Sequence, residues 1–160
     1  MKSYHILECR NQQKIADSLY GYYVGITAHN KPKEFWNHLS RKEIKNYFSI
    51  PNNPCKLWFD ELGLKVRDMS YTIYNENIGT NIHRDEPPVI AKINFPVLNT
   101  KDTYNVWYDD WANEIDRVEC VSPIVLRSDI LHTVEIGEQA SYPRIQFSFC
   151  FYDEPLQLLE

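Results

Sequence analysis

Apolar and polar positions change period once along this chain, near Gly63. Before it, apolar residues recur at helical spacing. Ile15, Ala16, Leu19, Tyr22 and Tyr23 line one side of a helix predicted over 14–23. Ser40 followed by Glu43 has the form of a capping box, and Ile44, Tyr47 and Phe48 behind it make an apolar face. Pro51-Asn52-Asn53-Pro54 breaks that pattern. Cys55 to Leu62 fits one more short helix, with Gly63 as its left-handed cap. After Gly63 the period drops to two. Strands are expected at 66–74, 89–98, 103–108, 123–127, 131–136 and 144–152, with turn signals between them. Short strands of this kind predict an antiparallel sandwich or barrel. No repeat or linker divides the chain, so 1–160 reads as a single domain. It is mainly β, with a helical N-terminal layer over 1–64 packed on a jelly-roll core over 65–153.

Composition narrows the class. The 160 residues suffice for a real core, and 43% hydrophobic with 24% charged residues exclude a disordered chain. Net charge is −5 and no stripe of Lys and Arg runs along any segment, which argues against a nucleic-acid partner. The N-terminus has no apolar signal segment and no apolar run of about 18 residues appears, so a membrane is not expected and the cytoplasm is the expected compartment. Cys9, Cys55, Cys120 and Cys150 form no CxxC pair and read as free thiols rather than a zinc knuckle. Nothing in the sequence sets an oligomeric state.

The candidate chemistry starts at His83-Arg84-Asp85. Residues two apart on an extended segment point to one side, so an imidazole and a carboxylate can converge while Arg84 faces away. His132, about fifty residues on at the start of a predicted strand, is the candidate third ligand. Two His and one carboxylate on one face of a metal, with open positions opposite, form the facial triad of non-haem Fe(II) oxygenases. Arg144 opens the last predicted strand about a dozen residues later. On a strand antiparallel to that of His132, its guanidinium can face the same cavity and bind a carboxylate through two parallel bonds.

These residues, taken together, resemble the Fe(II)/2-oxoglutarate-dependent oxygenase superfamily. Tyr74-Asn-Glu-Asn-Ile-Gly79 is similar to the approach strand of its prolyl-hydroxylase-like members. Pro123 to Val134 is similar to the segment leading to their distal ligand, and Pro143-Arg-Ile-Gln-Phe-Ser to their last core strand. The resemblance covers roughly 66–152, and small bacterial and phage oxygenases look similar. It implies a double-stranded β-helix, the cupin-like jelly roll. It also implies Fe(II) on His83, Asp85 and His132, with 2-oxoglutarate and O2 as cosubstrates and Arg144 on the far carboxylate. Tyr74 and Asn94 fall where such proteins touch the cosubstrate. The implied reaction hydroxylates an unactivated C–H bond of a small-molecule or peptidyl substrate, giving succinate and CO2. One departure stands out: where many members have Ser two residues after the Arg, this chain has Gln146, with Ser148 one step further along that face.

Each residue also has a plainer role open to it. His132 can be a core histidine bonded to a backbone carbonyl. Arg144 can pair with Asp153 or Glu154, and Tyr74 can be a packed strand residue. Trp107, Tyr108 and Trp111 suit core packing, or a wall beside the substrate. His5, His29 and His38 are expected at the surface. At the level of function, a metal-binding cupin enzyme without a keto acid and a non-catalytic jelly-roll protein are the competing classes.

Overall fold

The computed structural model describes residues 2–78, 80–87 and 89–160. The chain runs through β1 (Tyr4–Ile6), α1 (Gln12–Thr27), β2 (Phe35–His38), α2 (Arg41–Phe48), α3 (Pro54–Glu61), β3 (Val66–Tyr74), β4 (Ala91–Leu98), β5 (Thr103–Tyr108), β6 (Glu114–Glu119), β7 (Ile124–Arg127), β8 (His132–Ile136), β9 (Arg144–Phe151) and a closing 3-10 turn (Leu156–Leu159). The strands form two antiparallel sheets, a larger one in the order β1-β7-β4-β9-β3-β2 and a smaller one in the order β6-β5-β8. Among the described residues, no helix is long and apolar enough to cross a membrane.

The helices form where capping and spacing place them. Ser40 Oγ accepts from Glu43 N and Glu43 Oε1 accepts from Ser40 N, so both halves of the capping box close. Asn53 caps α3 by accepting from Cys55 N and Lys56 N, and Pro54 fills the first turn, where an N–H would be idle. Gly63 takes φ of +70° just past that helix, a region glycine enters without strain.

Residues 1–64 are not purely helical, which corrects one expectation. Tyr4–Ile6 pairs with β7 and Phe35–His38 pairs with β3, so both edges of the larger sheet come from the N-terminal part. Both strands are too short for a period to declare itself, and their partners lie far along the chain. A third unexpected strand, Glu114–Glu119, is charged on both faces because it edges the smaller sheet.

The central strands β3, β4 and β9 have two different faces. Met69, Tyr71, Ile73, Ile93, Phe95, Ile145, Phe147, Phe149 and Phe151 point toward the helices and join Ile15, Leu19, Tyr47 and Phe59 in one core. The alternate positions, Thr72, Tyr74, Asn94, Arg144, Gln146 and Ser148, lie on the opposite face, where Arg144 Nε donates to Thr103 Oγ1 of β5. A smaller cluster of Trp107, Ile124 and Leu126, with Tyr4 stacked on Trp107 at 5.1 Å, closes the two sheets on each other at the far side. Trp107 is thus core, whereas Trp111 stands 86% exposed and does not join it.

Candidate metal centre

Two chain segments meet at the site. His83 lies on an extended stretch after β3, and His132 opens β8. Their backbones exchange hydrogen bonds, His83 N to His132 O at 3.0 Å and His132 N to His83 O at 2.8 Å, which sets the imidazoles side by side with ring centres 4.5 Å apart. Asp85 N donates to Ser128 O at 2.8 Å, fixing the carboxylate two residues on. Arg84 points away, as period two requires, and pairs with Asp110 at 2.5 Å.

The side chains converge. Asp85 Oδ1 lies 3.5 Å from His83 Nε2 and 3.3 Å from His132 Nε2, and one donor atom from each of the three residues falls within 4.8 Å of the others. Both imidazoles put Nδ1 2.7 Å from a backbone carbonyl, Asn81 O for His83 and Ile130 O for His132. Nδ1 therefore carries the proton and Nε2 presents its lone pair inward, as carbonyl-oriented metal ligands do. His132 Nε2 is buried with no hydrogen-bond partner among the described residues, an orphan that a metal ion would satisfy. Burial pushes the Asp85 carboxyl up, but the imidazoles of His132 and His83 beside it and the charge of Lys92 outweigh this and hold it far below the carboxylate range. The bond to Asp85 raises His83 above the ordinary imidazole value, against its partial burial. Two nitrogens and one carboxylate oxygen make a donor set that suits Fe(II) and leaves the remaining face open.

A second arrangement lies on the face of the larger sheet turned away from the helices. Arg144 is wholly buried, and no carboxylate lies within 4.0 Å of its guanidinium among the described residues. Neutral oxygens take its protons instead: Gln146 Oε1 at 3.0 Å, Thr103 Oγ1 at 3.3 Å and Thr72 Oγ1 at 3.4 Å. The salt bridge to Asp153 or Glu154 is not made; Glu154 accepts from the backbone of Ile90 and Ala91. Tyr74 is the cross-strand partner of Arg144, with the guanidinium 5.5 Å from its ring centre. Its hydroxyl is buried without a hydrogen-bond partner among the described residues. Burial raises that phenol above its usual range despite the nearby guanidinium. Asn94 is on the same face, where its Oδ1 accepts from Ser148 Oγ at 2.7 Å. Gln146 therefore orients Arg144, and Ser148 is engaged with Asn94. Gly79, the end of the Tyr74 motif, lies outside the described residues.

Lys92 was not among the sequence candidates. Its Nζ sits 2.6 Å from Asp85 Oδ2. The available signal was a lysine two residues before Asn94 in an otherwise apolar strand, which places it on the face of the site. A cavity of about 590 Å³ opens elsewhere, on the helix side of the sheet between Ile44, Phe48, Phe59 and Leu64, and contains none of these groups.

Compared by sequence, the chain matches no protein-family model and no curated protein. Compared by structure, it superposes on a Pseudomonas putida prolyl-4-hydroxylase with a TM-score of 0.58 and 10% identity, over 93% of this chain and 91% of the other. It matches the Trichoplax adhaerens prolyl hydroxylase, solved with a hypoxia-inducible-factor peptide fragment, at 0.62 and 8% identity, over 94% and 84%. The non-haem α-ketoglutarate-dependent epimerase SnoN of nogalamycin biosynthesis gives 0.61 and 11%, over 94% and 78%. The chain has the fold of the 2-oxoglutarate/Fe(II) oxygenases. Within that fold, a possible metal-binding triad and a buried, acid-free arginine face one side of the larger sheet.

Proposed function

We propose that this protein is an Fe(II)- and 2-oxoglutarate-dependent oxygenase that hydroxylates an unactivated C–H bond of a small-molecule or peptidyl substrate and releases succinate and CO2. The observation that carries the proposal is Arg144. A buried guanidinium without an acid partner is costly, and it is retained where an anion arrives to pair with it. The Arg144 guanidinium, with three of its five N–H donors given to neutral oxygens, and the unpartnered Tyr74 hydroxyl suit the far carboxylate of a dicarboxylate. The strand order of the two sheets agrees with a double-stranded β-helix, and the peptide bound to the Trichoplax neighbour makes a peptidyl substrate a natural member of the class. Four free thiols suit the reducing cytoplasm.

In this assignment His83 Nε2, His132 Nε2 and Asp85 Oδ1 hold the metal. Bound Fe(II) supplies the activation of O2 and the oxidative decarboxylation of the keto acid. The protein does the rest. The backbone carbonyls of Asn81 and Ile130 hold both imidazoles in the metal-binding tautomer. Gln146 and Thr103 aim the guanidinium, and Arg144 with Tyr74 would hold the far carboxylate of the cosubstrate. The stacked Tyr4–Trp107 cluster seals one side of the space between the sheets against water.

The acid-free arginine weighs against a cupin enzyme that needs no keto acid, and the orphaned His132 nitrogen weighs against a non-catalytic jelly roll. The deciding experiment loads the protein with Fe(II), supplies 2-oxoglutarate in air and measures succinate. Slow succinate formation above a His132→Ala control is expected even without a prime substrate. Equal succinate in both, with unchanged 2-oxoglutarate affinity in Arg144→Ala, would remove the proposal.

A further inference from the structure

The contacts of Asp85 separate its two carboxylate oxygens. Oδ1 faces both histidine nitrogens, at 3.5 and 3.3 Å, while Oδ2 accepts from Lys92 Nζ at 2.6 Å. The lysine and aspartate side chains are mostly buried, at 17% and 21% exposure, so this is not a solvent-screened surface pair. Lys92 reaches the carboxylate from the first site-facing position of β4. Among the described residues, Asp85 is the one acid within 4.0 Å of the ammonium.

A carboxylate can hold a metal through one oxygen or through both. Three ligands on one face of a six-coordinate ion leave about three positions open. Chelation through both Asp85 oxygens would take one of these. The proposed chemistry needs them all, two for the keto-acid end of 2-oxoglutarate and one for O2. We propose that Lys92 is a positioning residue that keeps Asp85 a one-oxygen ligand by holding Oδ2 out of reach of the metal. Its basis is the metal assignment above. What it adds is that the coordination vacancy is set by this lysine and not by the triad alone. A lysine that only stabilised the fold would change the melting temperature when replaced and leave the number of open positions alone.

Mn(II) is the probe, because its effect on the relaxation of solvent protons reports how many water molecules it carries. Wild-type protein should hold Mn(II) with about three exchanging waters, falling to about one on adding 2-oxoglutarate. Lys92→Met should start about a third lower in relaxivity and lose nearly all of it with 2-oxoglutarate. Lys92→Arg keeps a cation within reach and should restore the wild-type response. If Lys92→Met fails to fold, as judged by circular dichroism, Lys92→Gln is measured in its place with the same expected loss. Wild-type relaxivity in the neutral variant, with and without 2-oxoglutarate, overturns the role of Lys92 while leaving the metal assignment intact. A wild-type protein that takes up no Mn(II), Fe(II) or Co(II) overturns the metal assignment and this role with it.

Discussion

The two faces of the larger sheet share a backbone and differ in almost everything else. On the helix side, β3, β4 and β9 present Met69, Ile73, Phe95, Phe147 and Phe149, all buried against α1, α2 and α3. On the other side the same strands present Thr72, Tyr74, Asn94, Arg144 and Gln146, equally hidden from solvent for the most part but polar. Burying apolar area lowers the free energy of folding, whereas burying an acid-free guanidinium and an unpartnered phenol raises it. The rigidity of one face therefore carries the cost of the other. Period-two alternation lets nine residues of one strand serve stability and chemistry without compromise at any single position.

The comparison predicts opposite responses to substitution. The largest effect belongs to His132→Ala, which removes the buried ligand. Metal affinity should fall by more than the roughly 10- to 100-fold that loss of an outer-shell partner brings, as read by Co(II) titration, with succinate formation abolished. Arg144→Met comes next and splits the two properties. The 2-oxoglutarate dissociation constant should rise by about 30-fold or more, the range for truncating one side of a buried charged contact. In the ligand-free protein the same change should raise stability by about 1 kcal/mol or more, measured by urea unfolding, since a buried charge is replaced by an apolar chain of similar volume. A less stable Arg144→Met protein would mean that the polar face is not under strain. Phe149→Ala, on the helix side, should cost about 3–5 kcal/mol while metal affinity in the folded fraction stays unchanged. Ser40→Ala removes half of the capping box and should cost about 1 kcal/mol, with no effect on the site.

Acidity tests the same division. His83 carries a raised pKa in the metal-free protein, so its bond to Asp85 stabilises the fold fully below the unfolded imidazole value near 6.5, and that contribution is lost as pH rises through the higher folded value. Asp85 behaves in the opposite sense: its depressed pKa gives stability above the unfolded carboxylate value that is lost as pH falls through the folded one. Metal competes with the proton on His83, so Co(II) affinity should climb with pH across the raised value and level off above it, the proton release being visible by calorimetry in two buffers.

Much of this was legible in the sequence because the carriers of the pattern were long or strictly spaced. The strands at 66–74 and 144–152 alternate over enough residues to declare a period, and Ser40 with Glu43 declares a cap. His83 and Asp85 were legible because two-residue spacing has one geometric meaning on an extended chain. Other features depend on pairing and so have no local signature. β1 and β2 are three and four residues long and exist only because β7 and β3 offer edges. The Arg144–Tyr74 contact follows from the antiparallel register of β9 against β3. Lys92 acquires meaning only through its contact with Asp85, which no local pattern announces.

The seam between His83 and His132 has a further consequence. Two backbone bonds join these residues, and Thr80 N to Val134 O and Asp85 N to Ser128 O extend the seam on either side. The stretch carrying two of the three donor groups is stitched to the β scaffold rather than woven into it. An ion gripped from both sides would act as a rivet through that seam. Its residence time would then be governed by how often the stitches open rather than by the strength of any single donor bond, and cation loading would appear as slowed amide exchange at His83, Asp85 and His132 before it appeared as turnover.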